Sequence, residues 1–156
     1  MTFNSGNRAA RLALLGLLLG WQAMPLGAQG KAVDRSKLAA LFAQFDNANS
    51  DADPASYRAL AAAGLAEARR LYPAGHPDVA IARLNVAQTL AAAGDMDKAL
   101  TEVDALLAML EKASADPRIR AVWRNGLNTR AYILNFKGDH AGALAINERL
   151  VADYEA

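Results

Sequence analysis

Five dipeptides punctuate this chain, and they constrain its fold more than any other feature. Asp53-Pro54, His76-Pro77 and Asp116-Pro117 each put proline where the first turn of a helix tolerates a missing N–H, and in two of the three an aspartate precedes it as N-cap. Gly94-Asp95 and Gly138-Asp139 put a residue able to adopt positive φ after one helix and a capping carboxylate before the next. The first set predicts three helix starts, and the second predicts two tight turns between antiparallel helices. Six helices in three pairs follow: Asp34–Phe45 with Pro54–Leu71, Pro77–Ala93 with Met96–Ala113, and Pro117–Lys137 with His140–Tyr154. Alanine and leucine dominate between these marks while glycine and proline stay at isolated positions, so the fold class is all-α.

The second and third pairs are copies. Ala87, Leu90, Gly94, Asp95, Ala99 and Leu100 recur 44 residues later as Ala131, Leu134, Gly138, Asp139, Ala143 and Leu144. Two helices joined by a short turn approach closely, and alanine at 87, 99, 131 and 143 permits that approach without loss of helix propensity. The order Ala87, Leu90, Gly94, Ala99 resembles the tetratricopeptide repeat. His76-Pro77-Asp78-Val79-Ala80, then Leu84-Asn85-Val86-Ala87, then Gly94-Asp95-Met96-Asp97-Lys98-Ala99 resemble its long-helix, kinesin light chain type. The third pair lacks a His-Pro-Asp start and carries Arg130 before Ala131, where the family has an apolar residue. The resemblance spans roughly Pro54 to Tyr154. It implies helical hairpins stacked as a short right-handed solenoid, with the first helix of each pair lining a concave binding surface.

The first 28 residues follow the plan of a secretory signal peptide. Arg8 and Arg11 supply the positive start, and Leu12 to Trp21 form an apolar run. That run is half the length of about 20 residues that a membrane-spanning helix needs. Pro25 ends it, and Leu26-Gly27-Ala28 predicts cleavage between Ala28 and Gln29, leaving residues 29–156 as the helical domain. The expectation is a periplasmic or secreted bacterial protein with no membrane span after cleavage. Without the signal, 15 Lys+Arg stand against 16 Asp+Glu. A net charge near −1 lacks the basic excess that binding to a phosphate backbone requires, which argues against a nucleic-acid partner. With no cysteine, the exported chain has neither disulfides nor thiolate ligands, and packing must supply its stability.

Residues suited to catalysis are scarce. Two histidines, no cysteine and no recognisable motif leave nucleophile, base and orienting group unassigned, so no catalytic residue, metal or cofactor is expected. His76 reads as a helix cap rather than an acid–base partner of Asp78, and His140 as a turn residue. Asn49, Asp51 and Asp53 alternate like the first ligands of a calcium loop, but Pro54 replaces the turn glycine and Leu60 the closing glutamate. Binding residues are better represented. Asn125, Asn128, Tyr132 and Asn135 are spaced 3, 4 and 3 apart, one polar helical stripe with an aromatic in it. Side-chain amides can pair with a peptide backbone without adding charge, and tyrosine offers contact area at small entropic loss. Within the tetratricopeptide resemblance these positions fall where ligand peptides are met.

The helix carrying that stripe also holds Arg118, Arg120, Arg124, Arg130 and Lys137, while the preceding helix holds Glu102, Asp104 and Glu111. Either the two helices pair electrostatically, or some of the cations draw a carboxylate-bearing partner, and Arg124 joins the candidate contacts on that ground. The family's carboxylate clamp would need lysine and asparagine where Leu84 and Gln88 stand. Ile81, Leu84, Gln88 and Ala91 are the equivalent stripe of the second pair, either an apolar end of the groove or core. The last helix carries Leu144, Ile146, Leu150, Val151 and Tyr154 on more than one face, so self-association or a partner covering it is expected. These readings converge on an exported scaffold or adaptor for a protein or peptide. The second reading is an accessory protein binding a small ligand such as cell-envelope carbohydrate, with Trp123 and Tyr132 stacking on it.

Overall fold

A computed structural model describes residues 33–48, 53–110 and 116–155. These residues form six helices: α1 Ser36–Asn47, α2 Pro54–Leu71, α3 Pro77–Ala92, α4 Met96–Leu110, α5 Pro117–Phe136 and α6 His140–Glu155. No strand occurs among the described residues. The signal segment with its Ala28–Gln29 cleavage site, Asn49 and Asp51 of the calcium-like loop, and the predicted extension of α4 to Ala113 all lie outside them.

The punctuation acts as its chemistry demands. Asp53 accepts from the Ser56 N–H at 3.0 Å and Asp116 from the Arg118 N–H at 2.8 Å, with proline following each cap. His76 does the same through ring Nδ1, which accepts from the Asp78 N–H at 3.2 Å. Helix α1 begins two residues after the predicted Asp34: Arg35 is its N-cap, without a side-chain cap bond, and Asp34 before it accepts from the Ser36 N–H at 2.9 Å. Gly94 and Gly138 have φ of 81° and 85°. In both turns the last helical carbonyls are closed in the same way: Asp95 N–H donates to Leu90 C=O and Gly94 N–H to Ala91 C=O, as Asp139 does to Leu134 and Gly138 to Asn135. Asp139 then caps α6 through the Gly142 N–H at 2.9 Å, whereas the Asp95 carboxylate is engaged by Lys98 at 3.3 Å.

Each helix packs against the next, and α3 also packs against α5. The α1–α2 pairing includes a stacked Phe45–Tyr57 contact with ring centroids 4.4 Å apart. Ala87, Ala99, Ala131 and Ala143 are all buried in one core cluster. One cluster joins Leu38 of α1, Ala68 of α2 and Val79 and Ala82 of α3. A second sets Ala80 and Leu84 of α3 against Leu106 and Leu110 of α4 and Ile119 and Val122 of α5. The largest runs through Ala87 and Ala91, Val103 and Leu107, Leu127 and Ile133, and reaches Ile146 and Leu150 of α6. At α4–α5, Gly126 is a close approach: a Cβ there would meet Leu107 Cδ2 at 3.0 Å. Helix α3 is therefore surrounded, with buried residues around its whole circumference.

Candidate functional site

The polar stripe lies on the open side of α5. Asn128, Tyr132 and Asn135 are exposed, Tyr132 by 51%, and Asn125 is half-buried. Phe136 extends the same face at 66% exposed. Asn135 Oδ1 lies 3.0 Å from His140 Nδ1, so this amide is partly committed to the α5–α6 turn. The opposite side of α5 carries Ile119, Val122, Leu127, Ile133 and Leu134, which are buried. The face is thus set by the amphipathic arrangement of α5 itself.

The equivalent stripe of α3 has a different fate. Leu84 and Ala91 are core residues, and Ile81 packs against the same cluster as Leu84. An apolar end of a groove, one of the two readings open at these positions, is not formed by them.

Every cation named on α5 is engaged within the chain. Arg118 binds Asp78 of α3, Arg130 binds Asp104 of α4 at 2.6 Å, and Lys137 binds Asp97 of α4. Arg120 and Arg124 both bind Asp153 of α6, and the Arg124 guanidinium also lies 4.2 Å from the centroid of the Tyr154 ring. Arg124 accordingly ties α5 to α6, although it adjoins Asn125 in sequence. The Arg120 and Arg124 hydrogen bonds hold the Asp153 carboxyl below the usual carboxylate range, and the Lys137 hydrogen bond does the same for Asp97. Charge segregation between α4 and α5 therefore resolves as pairing across helices, extended to α3 and α6. Trp123 is partly buried against two core clusters, with the Arg149 guanidinium 4.8 Å from its ring centroid, and is not presented with Tyr132 as a stacking platform.

Sequence reasoning missed the role of Asp78. Its carboxylate is 3% exposed and accepts from Arg35, just before α1, and from Arg118 in the first turn of α5. One carboxylate thus joins the starts of α1, α3 and α5, the first helices of the three pairs. A carboxylate buried this deeply on α3 must be paired. His76 stacks on Tyr72 with centroids 3.8 Å apart, and its Nδ1 is used by the cap. Burial lowers its pKa, Asp78 opposes that shift, and Arg118 and Arg35 reinforce it.

Among the described residues no group of three or more His, Cys, Asp or Glu side chains is arranged to hold a metal ion, and no helix is long and apolar enough to cross a membrane. The open α5 face, with Asn128, Tyr132, Asn135 and Phe136 exposed, is the candidate surface. No family model matches the chain, and neither a curated protein nor a solved structure matches it.

Proposed function

We propose that the chain is an exported binding scaffold whose helix pairs form a short tetratricopeptide-like array and whose α5 face holds a protein or peptide. The observation that carries this reading is the contrast between equivalent positions. Leu84 and Ala91 are core, whereas Asn128 and Asn135, 44 residues on, are solvent-facing amides flanking an exposed tyrosine. A helix face that presents amides and one aromatic offers hydrogen bonds to an extended backbone and a rigid contact area. The array reading is supported by two turns of identical hydrogen-bond pattern and by packing of α3 on α5 across the intervening α4. Export is supported by the Arg8/Arg11 start, the Leu12–Trp21 run and Ala28.

The test is selection of peptides from a displayed random library against the helical domain, followed by titration onto an Asn128→Ala, Tyr132→Ala double variant. Selected peptides should bind the variant at least about tenfold more weakly, a loss of about 1.4 kcal/mol. Equal binding to the variant, or no enrichment of any peptide, sinks the reading. Intact-mass measurement of the exported protein should give a chain starting at Gln29.

A further inference from the structure

Helix α6 carries a second open surface, chemically unlike the amide stripe. Leu144, Asn147, Glu148, Val151, Ala152 and Glu155 line a shallow depression of about 430 Å³. Leu144 is 59% exposed and Val151 56%. The 44-residue register gives this surface an internal precedent on α4. Leu144, Asn147, Glu148 and Val151 stand where α4 has Leu100, Val103, Asp104 and Leu107.

That α4 face is occupied, and its occupant is α5. Val103 and Leu107 are buried there, and Gly126 of α5 comes so close that a Cβ would meet Leu107 at 3.0 Å and Val103 at 3.9 Å. One turn further along α5, Arg130 binds Asp104 at 2.6 Å. The α4 face therefore selects three properties in the helix it receives: an apolar stripe, a small residue at closest approach, and a cation one turn beyond it. On α6 Leu144 and Val151 keep the apolar positions of Leu100 and Leu107 and Glu148 the acid of Asp104, while Asn147 replaces Val103, and Glu155 adds a second acid at the edge of the depression.

We propose that the α6 face docks an amphipathic helix of a partner protein, one with glycine or alanine at its centre and lysine or arginine beside its apolar stripe. The ligand mode is a helix laid along a helix, with Leu144 and Val151 as the apolar seat. Glu148 and Glu155 supply the charge selection. A second copy of this chain docked α6 to α6 fits poorly, because two copies would bring four carboxylates around one apolar patch. The proposal goes beyond the α5 reading and stands on different residues, so either can fail alone.

The probe is a peptide with the sequence of residues 117–137, the helix that the α4 face accepts, labelled and titrated with the full chain. Saturable binding is expected. Leu144→Asp with Val151→Asp should weaken it at least about tenfold, as should Glu148→Lys with Glu155→Lys. Asn128→Ala with Tyr132→Ala should leave it unchanged. All four α6 residues are exposed, so the helical circular dichroism and melting of these variants should match the wild type; the charge-reversal pair decides the matter if the aspartates disturb folding. A peptide carrying Leu in place of Gly126 should bind at least about tenfold more weakly. No saturable binding overturns the proposal. Binding indifferent to all α6 substitutions also overturns it, by showing that the peptide enters elsewhere. So does a dimer in sedimentation that Val151→Asp abolishes, because the face is then taken by a second copy.

Discussion

Helices α3 and α5 hold the same register of the repeat, start with the same X-Pro device and end in the same glycine turn, yet they meet their surroundings differently. Helix α3 buries Val79, Ala80, Ala82, Leu84, Ala87 and Ala91 on every side, because α2, α4 and α5 all pack against it. Helix α5 buries one side and gives the other to Asn125, Asn128, Tyr132 and Asn135. The difference shows what a repeat encodes and what it does not. Turn geometry and the small close-approach residues are copied because each hairpin needs them internally. The outward stripe is free to follow whatever covers it: leucine and alanine where a helix packs, asparagine and tyrosine where none does among the described residues.

The sharpest way to break that contrast is to exchange the residues. Leu84→Asn places the α5 residue at the α3 position, removing a buried aliphatic side chain and burying an amide without a designed partner. It should cost about 3–5 kcal/mol, combining a large-to-small core loss with an unsatisfied polar group. Asn128→Leu, the reverse exchange, should change stability by no more than about 0.5 kcal/mol, since the side chain stays in solvent. Chemical denaturation of the two variants reads both values. A similar loss from each would mean that the α5 face is packed in solution and the contrast is false.

A smaller effect separates the two ion-pair hubs. Asp78 is a buried carboxylate that holds Arg35 and Arg118 and so links the starts of three helices, whereas Asp153 holds Arg120 and Arg124 at the α5–α6 surface. Removing one partner of a buried pair strands charge, typically at 3–5 kcal/mol. Arg35 and Arg118 are partly exposed and can turn to water, so Asp78→Ala should cost about 2 kcal/mol. Asp153→Ala should cost distinctly less and be the more sensitive to added salt, because water and ions already screen its partners. Denaturation at low and high salt distinguishes them; equal losses would show that Asp78 is no deeper in the structure than Asp153.

How much of this was legible in the sequence follows from how local each feature is. The starts of α2 to α6 fall at their predicted residues, and the ends of α2, α3, α5 and α6 within one residue, because proline, glycine and capping aspartate act on the backbone within one turn. The start of α1 has neither proline nor a glycine turn before it, and there Asp34 was read as helix although Arg35 is the N-cap and Asp34 lies before it. Exposure of Asn128 and Asn135 was legible from their polarity on an amphipathic helix. The commitment of Arg124 to Asp153 was not, since 29 residues separate them and only the docking of α6 brings them together. Asp78 is the extreme case. Its two partners lie 43 and 40 residues away on opposite sides in sequence, and no local pattern marks them. The α6 face became legible only when the structure showed which side of α4 receives α5.

The smallest expected effect concerns the two helix starts, which differ in one respect despite their shared proline. Helix α5 is capped by the Asp116 carboxylate, but α3 is capped by an imidazole, the side chain whose charge ordinarily changes between pH 5 and 8. The His76 cap works only with Nδ1 unprotonated, since that nitrogen must accept from the Asp78 N–H. Burial, supported by Arg118 and Arg35 against the opposing Asp78 and Asp116 charges, lowers the folded-state pKa below the ordinary value of 6.5. The unfolded chain therefore binds the proton more readily, so stability is full above about 6.5 and falls as the pH drops through that value toward the folded pKa. Replacing the ring by an amide keeps an acceptor at the cap and removes the titration. In His76→Asn the unfolding free energy should be flatter than wild type as the pH falls below about 6.5. The carboxylates held low by Ser56, Lys137 and Arg120, namely Asp53, Asp97 and Asp153, act in a more acidic window and are common to both proteins. A wild-type slope that survives His76→Asn unchanged would show that the α3 cap does not titrate, and that the two helix starts behave alike in solution despite their different caps.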